Sequence, residues 1–358
     1  MDFEKYIYNS DCRYFRGDIP CKPHKNEGWH CSNCPYYSKT DSRILIIKLG
    51  AIGDVIRTTP LLFRLQEEYP NSEIWWLTYS PDIVPSNVNR ILKFNSENLL
   101  TIQATDFDLL INLDKDPHAC ALTYLATSKK KIGFTLKNGK PVPINEKASE
   151  KYITGLFDDA NQANDKNYLQ EIFEICGYEF QGEEYILEFE DSFKWVIPNE
   201  GKKIIGLNTG CGARWVSRLW DNKYWLELIS LLQTESYYPL LLGGEQEHEN
   251  NSLLAEKSGA KYMGYFSLQK FISLMNQCDG IVSAVTMGMH IAIGLKKPLI
   301  LMNNIFNSKE FELYGRGEII QPELQCKCFF SPKCKNPDYF CMDSLKPVSI
   351  FEAINRNV

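Results

Sequence analysis

Three kinds of residue in this chain have the chemistry to act on a ligand: carboxylates beside glycine turns, arginines beside a glycine turn, and cysteines in clusters. Asp54 follows Gly50-Ala51-Ile52-Gly53. A carboxylate there either caps the next helix or meets an incoming group as a general base. Arg218 and Arg214 follow Thr209-Gly210-Cys211-Gly212. A pyrophosphate needs positive charge and N–H donors, and arginine next to a glycine turn and a helix start supplies both. The plain alternative is a helix covered with solvated charge. Glu245 comes just past the run PLLLGG, at a strand end where a carboxylate accepts hydrogen bonds from ribose hydroxyls, with Glu247 in reserve. An acidic helix start that suits the helix dipole is the competing reading. Asp114, with Lys115 and Asp116, also sits past a strand's carboxyl end, as a ligand residue or a loop cap.

Eight of the twelve cysteines fall in two clusters, Cys12/Cys21/Cys31/Cys34 and Cys326/Cys328/Cys334/Cys341; Cys120, Cys176, Cys211 and Cys278 are dispersed. The first cluster reads C-x8-C-x9-C-x2-C with His24 and His30 nearby, the second C-x-C-x5-C-x6-C. Four thiolates around one tetrahedral zinc would give the short, core-poor N-terminal segment the folding energy it lacks. Structural zinc is the expected occupant of each cluster and iron the less favoured one. Reduced cysteines or a disulfide pair are the alternative. The clusters form two sites, or exchange ligands in one.

Bulk composition narrows the class. A length of 358 residues exceeds one ordinary core, so two domains are expected. Hydrophobic residues at 44% and charged residues at 23% are those of a globular protein. A net charge of −6, from 39 basic and 45 acidic residues, offers nothing for nucleic acid. No run of 18 apolar residues occurs, and Met1 to Ser10 lacks an apolar leader core. A cytoplasmic protein without signal peptide or membrane span is expected, visiting the inner membrane face only peripherally.

The elements that must position these residues follow from periodicity. RILIIKLG, from Arg43 to Gly50, reads as a strand buried on both faces, then a glycine turn. Asp54 opens an amphipathic helix with Val55, Thr58, Leu62, Leu65 and Tyr69 on one stripe. Strands at Glu73–Thr78, Arg90–Phe94, Asp108–Leu113 and Lys131–Phe134, with room for crossovers, imply a mostly parallel sheet. A helix from Lys166 to Gly177 closes this half. The pattern restarts at Lys203 with IIGLN, and continues with strands at Pro239–Gly244, Gly280–Ser283 and Pro298–Met302. A helix is expected over Phe266–Gln277 and a last one over Pro347–Asn355. The expected division is a cysteine-rich extension (1–42), a first α/β domain (43–180), a linker (181–198), a second α/β domain (199–325) and a cysteine-rich tail with its helix (326–358).

The words K-L-G-A-I-G-D-V-I-x-T-T-P, then L-x-x-L and a second strand, resemble the opening of glycosyltransferase family 9, the heptosyltransferases of lipopolysaccharide assembly. The resemblance continues through D-x-L-I-N-L-D and K-x-I-G-F, and through Arg218-Leu219-Trp220 with Trp225. It spans about residues 43–350. It implies a GT-B fold, two Rossmann-like domains with a cleft between, in which the last helix returns towards the first domain. It implies that Asp54 is the catalytic aspartate of a metal-independent, inverting transfer from a nucleotide-diphosphate sugar, with ADP-heptose the first donor and a glycan or lipid-linked acceptor.

The same resemblance sets Lys48, Gly53 and Asp114 on the acceptor side. Thr209, Gly210, Arg218, Glu245, Thr286, Met287, Gly288 and His290 are placed against the donor. Arg218 falls where relatives keep a lysine against the donor's phosphate. The sequence departs from the family at Val285 and Met287, which stand where relatives usually have an aspartate and a glycine; Thr286 and His290 are retained. A helix N-terminus there offers N–H groups and the Thr286 hydroxyl to a diphosphate. His290, inside the apolar run MHIAIGL, is either a buried core histidine or a donor contact. Lys48 is expected to pair with developing charge or with Asp54, while Trp220 and Trp225 are packing residues. Two rival classes remain: a nucleotide-sugar-binding protein without catalysis, favoured by the altered Val285–Met287 segment, and a redox or iron–sulfur enzyme built on the cysteines.

Overall fold

The computed structural model of the chain describes residues 6–358, so the expectation for Met1 to Ser10 lies partly outside the described residues. The N-terminal segment holds one short helix, α1 (Lys22–Glu27). A bridge between Cys12 and Lys39 draws the start of the segment against its end. β1 (Ser42–Ile47) follows, then α2 (Ile52–Ile56) and α3 (Leu61–Glu68). The single helix expected from Asp54 is therefore two. The hydroxyls of Thr58 and Thr59 bond back to the carbonyls of Asp54 (2.7 Å) and Ile56 (2.7 Å). Pro60 has no N–H to carry the ladder onward. Nor is Asp54 the N-cap. That place belongs to Ala51, extended at φ −70° and ψ 174°, and Asp54 is the third residue of α2.

The chain continues as β2 (Ser72–Thr78), β3 (Arg90–Lys93), α4 (Ser96–Gln103), β4 (Asp106–Asn112), α5 (Pro117–Leu125), β5 (Thr127–Lys137) and β6 (Lys140–Pro143). Three helices come next: α6 (Glu146–Thr154), α7 (Asp158–Ala163) and α8 (Tyr168–Cys176). The second series is β7 (Lys203–Asn208), α9 (Asn222–Thr234), β8 (Tyr237–Leu242), α10 (His248–Ser258), β9 (Lys261–Tyr262), α11 (Leu268–Asn276), β10 (Gly280–Ala284), α12 (Met287–Gly294), β11 (Leu299–Met302), β12 (Gly317–Ile320) and α13 (Pro347–Asn357). No helix among the described residues is long and apolar enough to cross a membrane.

Two compact units result, and they interleave in sequence. The first comprises the chain up to Gly50, Pro60–Ser149 and Phe173–Tyr178; the second comprises Ala51–Thr59, Glu150–Ile172 and Glu179–Val358. In the first unit the strand order is β3-β2-β1-β4-β5-β6. All neighbours are parallel except the β5–β6 hairpin. β1 lies in the middle because Ile44, Leu45, Ile46 and Ile47 are apolar on both faces, and each is fully buried. The strand order reverses between β1 and β4, where Ile47 stands opposite Asn112.

The second unit repeats the plan as β12-β11-β10-β7-β8-β9, parallel throughout. Its order reverses between β7 and β10, so the turns after Asn208 and Ala284 leave from the point where open α/β sheets bind ligands. α12 is apolar on every side, and Gly288 through Ile293 are all buried. α9 is one-sided: Trp225, Leu228, Ile229 and Leu232 face the core, and the Asp221 carboxylate caps it by accepting from the Lys223 N–H (2.8 Å). The last helix, expected to return to the first half, packs in the second unit, with Ile350, Ala353 and Ile354 in the same core as Trp225. Its apolar stripe matches that of α9, which explains the choice of partner. Trp220 joins this core and donates its indole N–H to the Leu345 carbonyl at 3.0 Å, a packing residue as expected.

Candidate active site

The second unit contains a cavity of about 950 Å³, within the range for a drug- or nucleotide-sized ligand. Asp54, Arg57, Arg218, Glu245, Thr286 and His290 all contribute to its wall, and all belong to that unit. Five of these six were expected from sequence. Gly53, Gly210, Met287 and Gly288 line it as well.

Asp54 is held at both oxygens. Arg57 donates to Oδ1 at 2.7 Å, and the Ala51 N–H donates to Oδ2 at 3.2 Å. The Asp54 side chain stays 32% exposed. Arg57 is much less exposed and is shared. Its other nitrogen donates to Glu310 Oε1 at 2.9 Å, and the guanidinium lies 3.5 Å above the Tyr168 ring. Burial works against its charge, but the Asp54 and Glu310 carboxylates outweigh that and hold its pKa above the ordinary value. Sequence reasoning missed Arg57 and Glu310. Arg57 had a local signal, an opposite charge three residues earlier along a helix; Glu310, 253 residues away, had none.

His290 is pressed against the Asp54 turn. A Cβ added at Gly53 would lie 2.3 Å from His290 Cδ2, so the imidazole occupies the room any side chain there would need. Tyr185 stacks on the other side, with ring centroids 6.2 Å apart. His290 Nδ1 is buried without a partner. Burial, with Arg57 adding to it, pushes the pKa down to about 3, so this is a neutral imidazole. The histidine is buried, as the first of the two sequence readings has it, and it also lines the cavity.

Arg218 sits at the end of the loop that follows β7. It is 7% exposed and donates to the Cys211 carbonyl at 3.3 Å, while its Nε finds no acceptor. Trp215 and Phe306 lie 5.5 and 5.4 Å from the guanidinium carbon. Burial lowers its pKa. Among the described residues no carboxylate pairs with it, which leaves a buried positive charge between two aromatic rings. Arg214, the second candidate, is exposed over the outer side of Trp215.

The glycine turn beside it is propped by Glu247. That carboxylate accepts from the N–H groups of Gly212 (3.4 Å) and Gly244 (3.0 Å). A Cβ at Gly210 would meet Glu247 Cγ at 2.1 Å, so this position needs glycine. Glu247 is thereby committed to the turn, whereas Glu245 is exposed on the cavity wall. On the opposite side the Thr286 hydroxyl caps α12. It accepts from the Gly288 N–H and from Asn208 Nδ2, each at 3.1 Å, and sits 3.1 Å from Ser283 Oγ. The hydroxyl expected to meet a diphosphate is therefore engaged in the cap. The first-turn N–H groups of Met287 and Met289 are what helix geometry leaves without intrahelical acceptors.

Three expected site residues are not among those lining the cavity. Lys48 donates to Asp114 Oδ1 at 2.9 Å, and Asp114 Oδ2 accepts from the Leu49 N–H at 2.5 Å. This pair closes the carboxyl end of β1 within the first unit. Thr209 is buried with its hydroxyl on Asn251 Oδ1 (2.5 Å).

All twelve cysteines are free thiols. In the tail, Cys328 and Cys334 Sγ stand 3.7 Å apart, and Cys326 is hydrogen-bonded to Cys341, an interaction that holds the Cys341 thiol below its ordinary value. N–H groups point at the sulfurs: Cys328 N to Cys326 Sγ (3.3 Å), Lys335 N to Cys328 Sγ (3.0 Å) and Asn304 Nδ2 to Cys341 Sγ (3.3 Å). Among the described residues, no three His, Cys, Asp or Glu side chains already converge on one metal position.

Comparison with known proteins now supplies a family. The model of glycosyltransferase family 9 (heptosyltransferase) matches residues 100–339. Curated protein sequences give no match. Among solved structures, the E. coli heptosyltransferase WaaC with ADP is similar at a TM-score of 0.61 and 18% identity, over 88% of this chain and 97% of that one. E. coli ADP-heptose LPS heptosyltransferase II gives a TM-score of 0.63 at 16% identity, over 88% and 98%. The iron-containing dodecameric glycosyltransferase TibC from enterotoxigenic E. coli gives 0.54 at 14%, over 89% and 76%. At such identities the structures speak for the fold alone, two parallel α/β sheets of the GT-B kind. The family model covers more than half of the chain, and with it the chain belongs to glycosyltransferase family 9.

Proposed function

We propose that the protein transfers a sugar from a nucleotide-diphosphate donor to a glycan-type acceptor with inversion, and that Asp54 is the general base. The observation that carries this reading is that Asp54 and an unpaired Arg218 face the same 950 Å³ cavity. Asp54 takes the proton of the acceptor hydroxyl as that oxygen attacks the anomeric carbon. The bond to the diphosphate breaks, and the negative charge that develops falls to Arg218 and to the N–H groups at the start of α12. Glu245 takes the ribose hydroxyls. ADP-heptose is the first donor to try, because WaaC and heptosyltransferase II of E. coli act in heptose transfer.

For the tail cysteines we propose a structural metal with no part in the chemistry. Four sulfurs at about 2.3 Å from zinc stand about 3.8 Å from one another, and Cys328–Cys334 already has that spacing. TibC is iron-containing, so elemental analysis decides between zinc and iron.

The test of the reaction is Asp54→Asn. Release of nucleoside diphosphate should fall by about 10²-fold or more, with nucleotide binding and melting temperature retained. Turnover at the wild-type rate would remove Asp54 from the role. Wild-type protein that binds ADP but turns over no nucleotide sugar would establish the non-catalytic alternative.

A further inference from the structure

The described part of the N-terminal segment, residues 6–41, has a fold without a core. Pro23 is its single buried residue. Tyr6, Ile7, Tyr8, Tyr14, Ile19, Tyr36 and Tyr37 are all more than 40% exposed. Segments of this size cannot hold a defined shape by hydrophobic burial, and need a disulfide or a metal. Yet the backbone is drawn into turns at each cysteine. The Cys12 carbonyl accepts from the Phe15 N–H (2.8 Å), that of Cys21 from Lys25 (3.0 Å) and that of Cys34 from Tyr37 (3.2 Å). The Cys31 carbonyl accepts from Asn9 Nδ2 (3.4 Å). All four cysteines, with Phe15 and Trp29, line one small space of about 20 Å³, the room of a single water molecule or ion.

We infer that Cys12, Cys21, Cys31 and Cys34 form a tetrathiolate site for one divalent metal of zinc type, separate from the tail cysteines. Four thiolates make the set because the cysteines line the space and neither His24 nor His30 does. The sulfurs surround the space without yet converging on a point, so binding requires side-chain rotations about bonds that the turns leave free. Each thiol gives its proton to solvent as its sulfur binds the metal, and no electron is exchanged. Four sulfurs and no open position make the site structural; its product is an ordered platform ahead of β1. Disulfides would join the sulfurs in twos, and all four are free.

The experiment uses the full-length protein. Zinc content of the wild type is compared with that of Cys31→Ser/Cys34→Ser, and a Cys326→Ser/Cys328→Ser variant serves as control for the tail. The N-terminal variant should lose one metal equivalent per chain, whatever the tail holds. Cobalt(II) added to metal-free wild type should give the visible bands of tetrahedral thiolate-bound cobalt, and the N-terminal variant should lose one set. Should the variant prove insoluble, limited proteolysis of wild type with and without chelator replaces it: removal of metal should open cleavage within residues 6–41. An unchanged metal content in a soluble variant, or chelator-independent resistance to protease, overturns the inference. So does a mass spectrum showing two disulfides among these four cysteines.

Discussion

Arg57→Met is expected to move the acid limb of the pH–rate profile upward. Arg57 favours the charged form of Asp54, so its loss raises the carboxyl pKa and the base is protonated at a higher pH. A hydrogen bond to a charged group contributes about 1.5–3 kcal/mol. Asp54 is 32% exposed, which favours the lower end of that range. At about 1.4 kcal/mol per unit the limb should rise by about one pH unit. Glu310 modulates the effect, because it competes for the same guanidinium from 2.9 Å with only 16% of its side chain exposed. Glu310→Gln removes the competing charge, so its limb should move the opposite way, by a few tenths of a unit. Arg57→Met/Glu310→Gln removes both charges and separates the direct loss from the stray charge left in the single variant. The assay is kcat/KM for release of nucleoside diphosphate across the pH range, with melting curves as a check on folding. An acid limb unmoved in well-folded Arg57→Met, or displaced in the same direction by both single variants, would refute the reasoning.

Other outcomes follow from single contacts. Arg218→Met should weaken binding of a nucleoside diphosphate by about 10–100-fold, the worth of a charge-assisted hydrogen bond; calorimetry reads it directly, and an unchanged affinity would exclude Arg218 from the anion site. Gly53→Ala forces the His290 ring aside from 2.3 Å and should cost about 1–3 kcal/mol, seen in urea unfolding. His290, with a pKa of about 3 in the fold against about 6.5 unfolded, is protonated first in the unfolded chain. Stability therefore falls as pH drops from the upper value towards the lower, by up to about 1.4 kcal/mol per unit. His290→Gln should flatten that slope, and equal slopes for the two proteins would contradict the buried, neutral imidazole.

Much of the architecture was legible because parallel α/β sheets announce themselves in apolar runs. β1 and β7 are buried on both faces, so RILII and KIIGLN leave little choice of element. Asp54, Arg218, Glu245 and the start of α12 were legible because each follows a strand end at which such sheets bind ligands. The split after Ile56 was harder to see. It depends on threonine hydroxyls turning back onto carbonyls, a competition that leaves the apolar stripe intact. The commitments of Glu247 and Thr286 were invisible for a related reason. A polar side chain looks alike in sequence whether it serves a ligand or its own backbone, and here N–H groups two to 35 residues away decide it. Strands such as β6 and β12 are short, and exist through pairing with a neighbour rather than through their own pattern.

The aromatic surroundings of Arg218 carry an optical consequence. Trp215 lies edge-on to Phe330, with centroids 5.7 Å apart, and shares the guanidinium with Phe306. An anion that neutralises this cation changes the field across the indole, and displaces water from its flank. Its emission should shift as a nucleotide docks, which gives the protein a built-in gauge of occupancy that needs no dye, no label and no knowledge of the acceptor.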